Sequence, residues 1–228
     1  MRPYDPNKPI IVSHIPKTAG TSVRELFAKW YGGNLLLHYK DGKRPAKHDL
    51  VNPPIAGKPV AIYGHFTRNR GMGIEKYYPE VEQFVTIFRE PLDRAISGYF
   101  FKTRDPIMRR AFWGTSRLTL DQYVSQRPNK FILSQHGRID NFLPLGINRS
   151  NFKDVLHSHF VEVGVANKLS ESMRRIAKKL GFEFDPNDLE HLNTSKRTAE
   201  VSHDAAAIFK KHHEFEYDIY NYVNSLYS

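Results

Sequence analysis

Two clusters of anion-binding residue types and one histidine carry the chemistry that can be read in this chain. Pro16-Lys-Thr-Ala-Gly-Thr-Ser22 places a lysine beside Thr18, Ala19, Gly20, Thr21 and Ser22. A loop that leads into a helix turns successive backbone N–H groups and the positive end of the helix dipole toward one spot, which suits a phosphate. The hydroxyls of Thr18, Thr21 and Ser22 add donors, and Lys17 adds a mobile point charge. The second cluster is Arg89-Glu-Pro-Leu-Asp-Arg-Ala-Ile-Ser97. Arg89 can present a two-pronged fork to another phosphate, and Ser97, two helical turns on, can donate a hydroxyl. Between them lies His65, whose imidazole, unperturbed, titrates near pH 6.5 and is largely neutral at working pH, so it can take a proton from a hydroxyl.

The elements that must position these residues follow from the apolar pattern. The β-branched run at Ile10-Ile-Val12 breaks at Pro16, and Val23, Leu26, Phe27 and Trp30 then keep helical spacing, predicting strand, loop and helix. Gly32-Gly33 ends the helix and Leu35–His38 reads as a short strand. Residues 39–58 form a long polar loop, either substrate-facing or simply solvated. Pro59–Phe66 is a buried strand that delivers His65 to its carboxyl end, the edge where open α/β sheets bind ligands. Arg68–Gly73 is a basic loop. Gln83–Phe88 is a further strand running straight into a helix, with Pro91 in the first turn and Leu92, Ala95, Ile96 and Tyr99 on one apolar face. Arg94 is expected to face solvent or an acidic neighbour, and the plain alternative for Arg89 is an ion pair with Glu90 or Asp93.

Residues 106–136 read as two or three short helices, with Thr119 a cap before Leu120–Val124. Residues 140–146 read as a loop and His159–Val165 as a strand. A helix follows over Leu169–Leu180, capped near Ser170 and stopped by Gly181. After an irregular stretch, Val201–Leu226 reads as a long amphipathic helix broken near Glu214. Strands alternating with helices predict a parallel, doubly wound sheet.

At 228 residues the chain suits one α/β domain spanning 1–228, with 1–9 an N-terminal extension and 201–228 a C-terminal helix. The formal charge of +10 favours polyanionic partners, among them nucleotides, anionic glycans, nucleic acid and acidic membranes. Cysteine is absent, which excludes disulfides, a thiolate nucleophile and a cysteine-rich zinc site, and fits a cytoplasmic setting. His157 with His159, and His212 with His213, lack the carboxylates that would complete a metal site, so none is expected. No apolar run approaches the roughly 18 residues of a membrane span, and the N-terminus has no apolar signal core.

A nucleotide triphosphatase loop carries lysine after its second glycine; here Lys17 precedes Gly20, the loop's only glycine. Pro16–Ser22 instead resembles the phosphosulfate-binding loop of PAPS-dependent sulfotransferases, especially the branch that holds heparan sulfate 2-O-sulfotransferase and bacterial carbohydrate sulfotransferase-like proteins. Phe88-Arg-Glu-Pro-Leu-Asp-Arg-Ala-Ile-Ser97 resembles that family's grip on the 3′-phosphate of PAPS. Gly64-His65-Phe66 stands where the branch places its base. Asn193, Ser195, Lys196 and Arg197 resemble a late loop that folds over the nucleotide, and Phe160–Leu169 resembles the family's late strand and helix start. Golgi members carry a membrane anchor, so the resemblance implies a soluble, bacterial-type version.

The resemblance implies a P-loop-like sulfotransferase fold, with PAPS as donor and PAP as product. The expected reaction is in-line transfer of a sulfuryl group to a hydroxyl, with a carbohydrate or glycoconjugate as acceptor. Such a transfer needs charge stabilisation at the leaving phosphate, alignment of the acceptor, and a base. Lys17 is the candidate for the first and His65 for the last, with His38 and His14 in reserve. Two other readings remain: a P-loop small-molecule kinase, marked by magnesium-dependent ATP turnover, and a non-catalytic basic nucleotide- or nucleic-acid-binding protein, marked by salt-sensitive oligonucleotide binding.

Overall fold

Ile10–Ser13 forms strand β1, four buried residues at the centre of the sheet. The computed structural model describes residues 1–39, 44–104, 118–125, 139–144, 146–189 and 197–227. The other strands are β2 (Leu35–His38), β3 (Ala61–Gly64), β4 (Gln83–Phe88) and β5 (Phe160–Val165). All pair in parallel, in the order β2-β3-β1-β4-β5. Ser13 lies opposite Gly64 on one side and Thr86 on the other. That register brings the carboxyl ends of β1, β3 and β4 to one edge, so the segments bearing Lys17, His65 and Arg89 leave the sheet side by side. The connection from β1 leads toward β2 on one side of the sheet and that from β4 toward β5 on the other, so the carboxyl ends of these two neighbours flank the crevice where open α/β sheets bind ligands.

The helices are α1 (Gly20–Tyr31), a single-turn α2 (Ile74–Tyr77), α3 (Pro91–Arg104), α4 (Leu120–Ser125), α5 (Phe152–His159), α6 (Leu169–Leu180), α7 (His203–His212) and α8 (Glu214–Ser225). Strand residues alternate between two apolar layers, as the period of two requires. Ile10, Val12, Tyr63, Val85, Ile87 and Val161 pack with Val23, Leu26 and Phe27 of α1 and Met173, Ile176 and Leu180 of α6. Ile11, Ile62, Phe84, Phe88 and Val163 pack with α2, Phe152 and Leu156 of α5, and Ile219 and Val223 of α8. A satellite cluster joins Phe100 of α3, Tyr123 of α4 and Phe209 of α7.

Several boundaries differ from those read in the sequence, each for a local reason. β5 starts at Phe160 because His159 still belongs to α5. Helix α6 runs over the expected residues and ends at the left-handed Gly181, but its cap position is Lys168 and no side chain caps it; Ser170 lies inside the helix. The C-terminal helix is two helices that meet at His213. Ile139–Phe142 is a 3-10 turn where a loop was expected from 140. Thr119 does cap α4: its hydroxyl accepts from the Gln122 N–H over 3.2 Å and its own N–H donates to Gln122 Oε1 over 2.9 Å. The flanking helices expected in 106–136 lie outside the described residues.

The described part of the long loop after β2, residues 44–58, is tied to the body of the protein. The Asn34 side chain accepts from the Ile55 N–H over 2.8 Å and donates to the carbonyls of Ile55 and Lys58 over 2.9 and 3.1 Å. His48 Nε2 meets the Leu37 carbonyl over 3.1 Å, which covers the outer edge of β2. Among the described residues no helix is long and apolar enough to cross a membrane.

Candidate active site

The loop between β1 and α1 is built on strained backbone. Lys17 and Ala19 hold φ angles of 71° and 63°, the left-handed region, at a cost of about 1–2 kcal/mol for each residue with a Cβ. Three bonds hold the loop there: Thr18 Oγ1 donates to the Ile15 carbonyl over 2.8 Å, the Val23 N–H donates to the Ala19 carbonyl over 3.2 Å, and Arg89 donates to the Lys17 carbonyl over 3.0 Å. The Thr18 hydroxyl is therefore turned inward, and only the backbone N–H of that residue is left for a ligand. Gly20 opens α1, followed by half-buried Thr21 and buried Ser22. The first turn of α1 holds no acidic residue and its cap position makes no side-chain hydrogen bond, so its field is open to an anion.

Arg89 stands one residue beyond β4. Its Nη1 donates to the Lys17 carbonyl, and its Nε donates to Asp93 Oδ2 over 2.5 Å. The pairing with Asp93 that sequence allowed thus exists, yet it holds the guanidinium against the Lys17 loop rather than away from it. Asp93 also accepts from Arg197, which brings the late basic segment to the same place. Burial would raise the Asp93 carboxyl, but the hydrogen bonds and charges of Arg89 and Arg197 outweigh it and hold the group below its ordinary range. Asn193, Ser195 and Lys196 lie outside the described residues.

Helix α3 presents a second contact to Lys17. Asp93, Ser97 and Phe101 are spaced four apart and so share one face. Asp93 meets Arg89, and the Phe101 ring lies 4.0 Å beneath the Lys17 ammonium, with half-buried Ser97 one turn from each. Burial, then the nearby Arg89 charge, lowers the Lys17 pKa. Phe101 was not singled out in the sequence, and Asp93 only as an alternative partner for Arg89, although their four-residue spacing around Ser97 was the signal for both. The cap of α3 is Glu90, which accepts from the Asp93 N–H over 2.5 Å and from the Tyr217 hydroxyl over 2.5 Å. Arg94 does not face solvent: it is buried and pairs with Glu216 of α8 over 3.2 Å, so only the acidic-neighbour alternative holds.

His65 emerges from β3 with its Nδ1 2.7 Å from the His14 carbonyl. A carbonyl can only accept, so Nδ1 carries the proton and Nε2 keeps its lone pair. Burial lowers the His65 pKa, the His14 carbonyl partly offsets this, and Arg70 lowers it further. The ring lies 4.4 Å from that of His14 and meets Tyr39 edge-on at 5.0 Å. His38, the other reserve base, is fully enclosed. It stacks at 4.4 Å on Phe66, its ring nitrogens make no well-formed hydrogen bond among the described residues, and burial pushes its pKa down to about 4. An imidazole so enclosed cannot meet an acceptor.

One edge of the sheet thus gathers two segments rich in donors suited to an anion, in direct contact, and an imidazole whose Nε2 keeps its lone pair. Compared with known proteins, the chain matches the model of the sulfotransferase family over residues 4–223. No curated protein matches it. Among solved structures it is similar to mouse sulfotransferase SULT7A1 complexed with PAP, with a TM-score of 0.51 and 13% identity, over 80% of this chain and 61% of that one. The likeness at this identity is one of fold, and the chain spans less than two thirds of the mouse protein.

Proposed function

Because the chain belongs to the sulfotransferase family, we propose that it transfers the sulfuryl group of PAPS to a hydroxyl, with PAP as the second product. The observation that carries this reading is the 3.0 Å bond from Arg89 to the Lys17 carbonyl. It joins the two anion cradles into one surface, as a nucleotide with phosphates at both ends requires.

The residues fit such a ligand by their chemistry. The loop backbone of Lys17–Gly20, the open first turn of α1 with Thr21 and Ser22, and the Lys17 ammonium suit the 5′ end. Arg89 and Ser97, with Arg197 held nearby through Asp93, suit the 3′-phosphate. When bound, PAPS supplies a sulfuryl group already activated by its phosphate ester. Lys17 rests on Phe101 and can swing from that face to offset charge at the departing bridging oxygen. His65 Nε2 takes the acceptor's proton as the acceptor oxygen bonds to sulfur and the sulfur–phosphate oxygen bond breaks. Its low pKa keeps it neutral and ready at physiological pH. Arg89 and the loop hold the phosphates in line without taking part in proton transfer.

A carbohydrate or glycoconjugate is the acceptor we favour, supported by the +10 charge and by Arg24 and Arg70, whose fields reach His14 and His65. The cysteine-free composition supports a cytoplasmic setting. The test is transfer from radiolabelled PAPS to a panel of glycans, lipids, phenols and peptides, with calorimetry of PAP. His65→Ala is expected to lose transfer and keep PAP binding, and Lys17→Ala to lose transfer. Wild-type rates in both variants, or magnesium-dependent ATP turnover with no affinity for PAP, would overturn the reading.

A further inference from the structure

His14 lies between the loop that opens α1 and His65, and has no role in the transfer described above. Its N–H donates to the Gly64 carbonyl over 2.8 Å, and its own carbonyl receives His65 Nδ1 over 2.7 Å. Its ring lies over the His65 ring, centroids 4.4 Å apart and planes 30° apart. Its Nδ1 pairs with the Tyr39 hydroxyl over 2.9 Å. Its Nε2 edge sits under the α-carbon of Gly20, so close that a Cβ added there would lie 1.7 Å from Nε2.

These contacts rule out a base and define a spacer. One ring nitrogen is engaged by Tyr39 and the other is covered by Gly20, which leaves neither for an acceptor. The ring fills the gap between the loop that opens α1 and the imidazole at the end of β3, and the Tyr39 bond fixes its plane. A shift of either the loop or His65 must move His14. We propose that His14 is a positioning residue that holds the plane of His65 and sets its distance from the Lys17–Gly20 loop. The inference rests on His65 being the base of the proposed transfer.

The surrounding charges favour a neutral spacer. His14 faces His65, Arg24 and Lys17, with Tyr39 and Tyr63 the other titratable rings beside it, and Arg70 faces His65 from the following turn. Burial first, then His65, Arg24 and Lys17, hold His14 well below the ordinary histidine range. It is therefore neutral, with its bond to Tyr39 intact, at physiological pH.

The test reads His65 directly, by ¹⁵N NMR of the imidazoles, in the full chain and in His14→Ala, His14→Asn and Tyr39→Phe. In the unmodified chain His65 should hold one tautomer, protonated at Nδ1. His14→Ala should let the ring turn and admit water, mixing the tautomers and moving the His65 midpoint up toward its ordinary value. With the acceptor identified, kcat should fall about tenfold to a hundredfold, with its acid limb moved to higher pH and PAP affinity within a few fold. Tyr39→Phe should give a smaller change of the same sign, and His14→Asn, which keeps a polar atom near the Nδ1 position, should recover part of the loss. An unchanged tautomer and midpoint in both His14→Ala and Tyr39→Phe would overturn the proposal; if His14→Ala does not fold, Tyr39→Phe decides alone. Absence of any sulfuryl transfer would sink the enzymatic reading while leaving this NMR result to be judged separately.

Discussion

The Arg89 guanidinium reaches across from the end of β4 to the main-chain carbonyl of Lys17, 3.0 Å away. One planar group thereby braces a left-handed loop residue and is presented beside it. Arg89→Ala is expected to weaken PAP binding by roughly tenfold to a hundredfold, the worth of a charge-assisted pair. Arg89→Lys should recover little, because a single ammonium cannot hold both Asp93 and the carbonyl while meeting a phosphate. Calorimetric titration with PAP checks this, and a Lys variant as tight as the original chain would refute the bracing role.

Gly20 leaves no space for a side chain. Gly20→Ala would drive a Cβ to 1.7 Å from His14 Nε2, so ring or helix must move, at about 1–3 kcal/mol. The double change Gly20→Ala with His14→Ala removes the obstruction and should melt higher than Gly20→Ala alone. Additive losses in a thermal double-mutant cycle would show that the two positions do not meet.

His38 carries two buried ring nitrogens without well-formed partners, packed among Phe66, Tyr77 and Tyr78. Replacing it by an apolar ring removes their desolvation, so His38→Phe is expected to stabilise the fold by about 1–2 kcal/mol. The folded-state pKa of about 4 lies below the unfolded value, so the unfolded chain binds the proton first. Stability should be full above about pH 6.5 and fall as pH drops toward 4. His38→Phe should flatten that fall in a series of melting curves, though His14 and His65, lowered in the same sense, keep part of it.

Arg94 and Glu216 pin α3 to α8 inside the protein, with side chains 5% and 3% exposed. Burial would raise the Glu216 carboxyl, but His213 and Arg94 together hold it below its ordinary value. Arg94→Met leaves that carboxylate without its guanidinium and should cost about 3–5 kcal/mol, whereas Arg94→Met with Glu216→Leu should cost much less. Denaturant midpoints decide, and equal losses in the two variants would mean the pair is not coupled.

Those elements whose signal is local were legible in the sequence. Ile10–Val12, Gln83–Phe88 and Phe160–Val165 are apolar runs long enough to be buried on both faces, and Gly32 and Gly181 stop their helices with φ of 53° and 77°. The positions of Lys17, His65 and Arg89 at one sheet edge follow from strand ends alone. What was not legible depends on partners distant in sequence. The burial of Arg94 requires Glu216, the pairing of Arg197 requires Asp93, and His14 is a spacer only because Gly20 and His65 fold onto either side of it. Ser170 failed as a cap for a different reason: the 3-10 turn Ala166–Lys168 runs directly into α6 and moves the helix start ahead of it.

The face of α3 that touches the Lys17 loop is fixed by counting rather than by composition. Asp93 fastens Arg89 at one end, and two turns along Phe101 shelves the ammonium. Adding or dropping one residue between them would rotate the shelf by about 100° around the axis, leaving the fastening intact but the lysine with nowhere to rest. Arg94 and Ser97 apart, the side chains in that stretch answer only to packing, while its length can change only in steps close to a full helical turn.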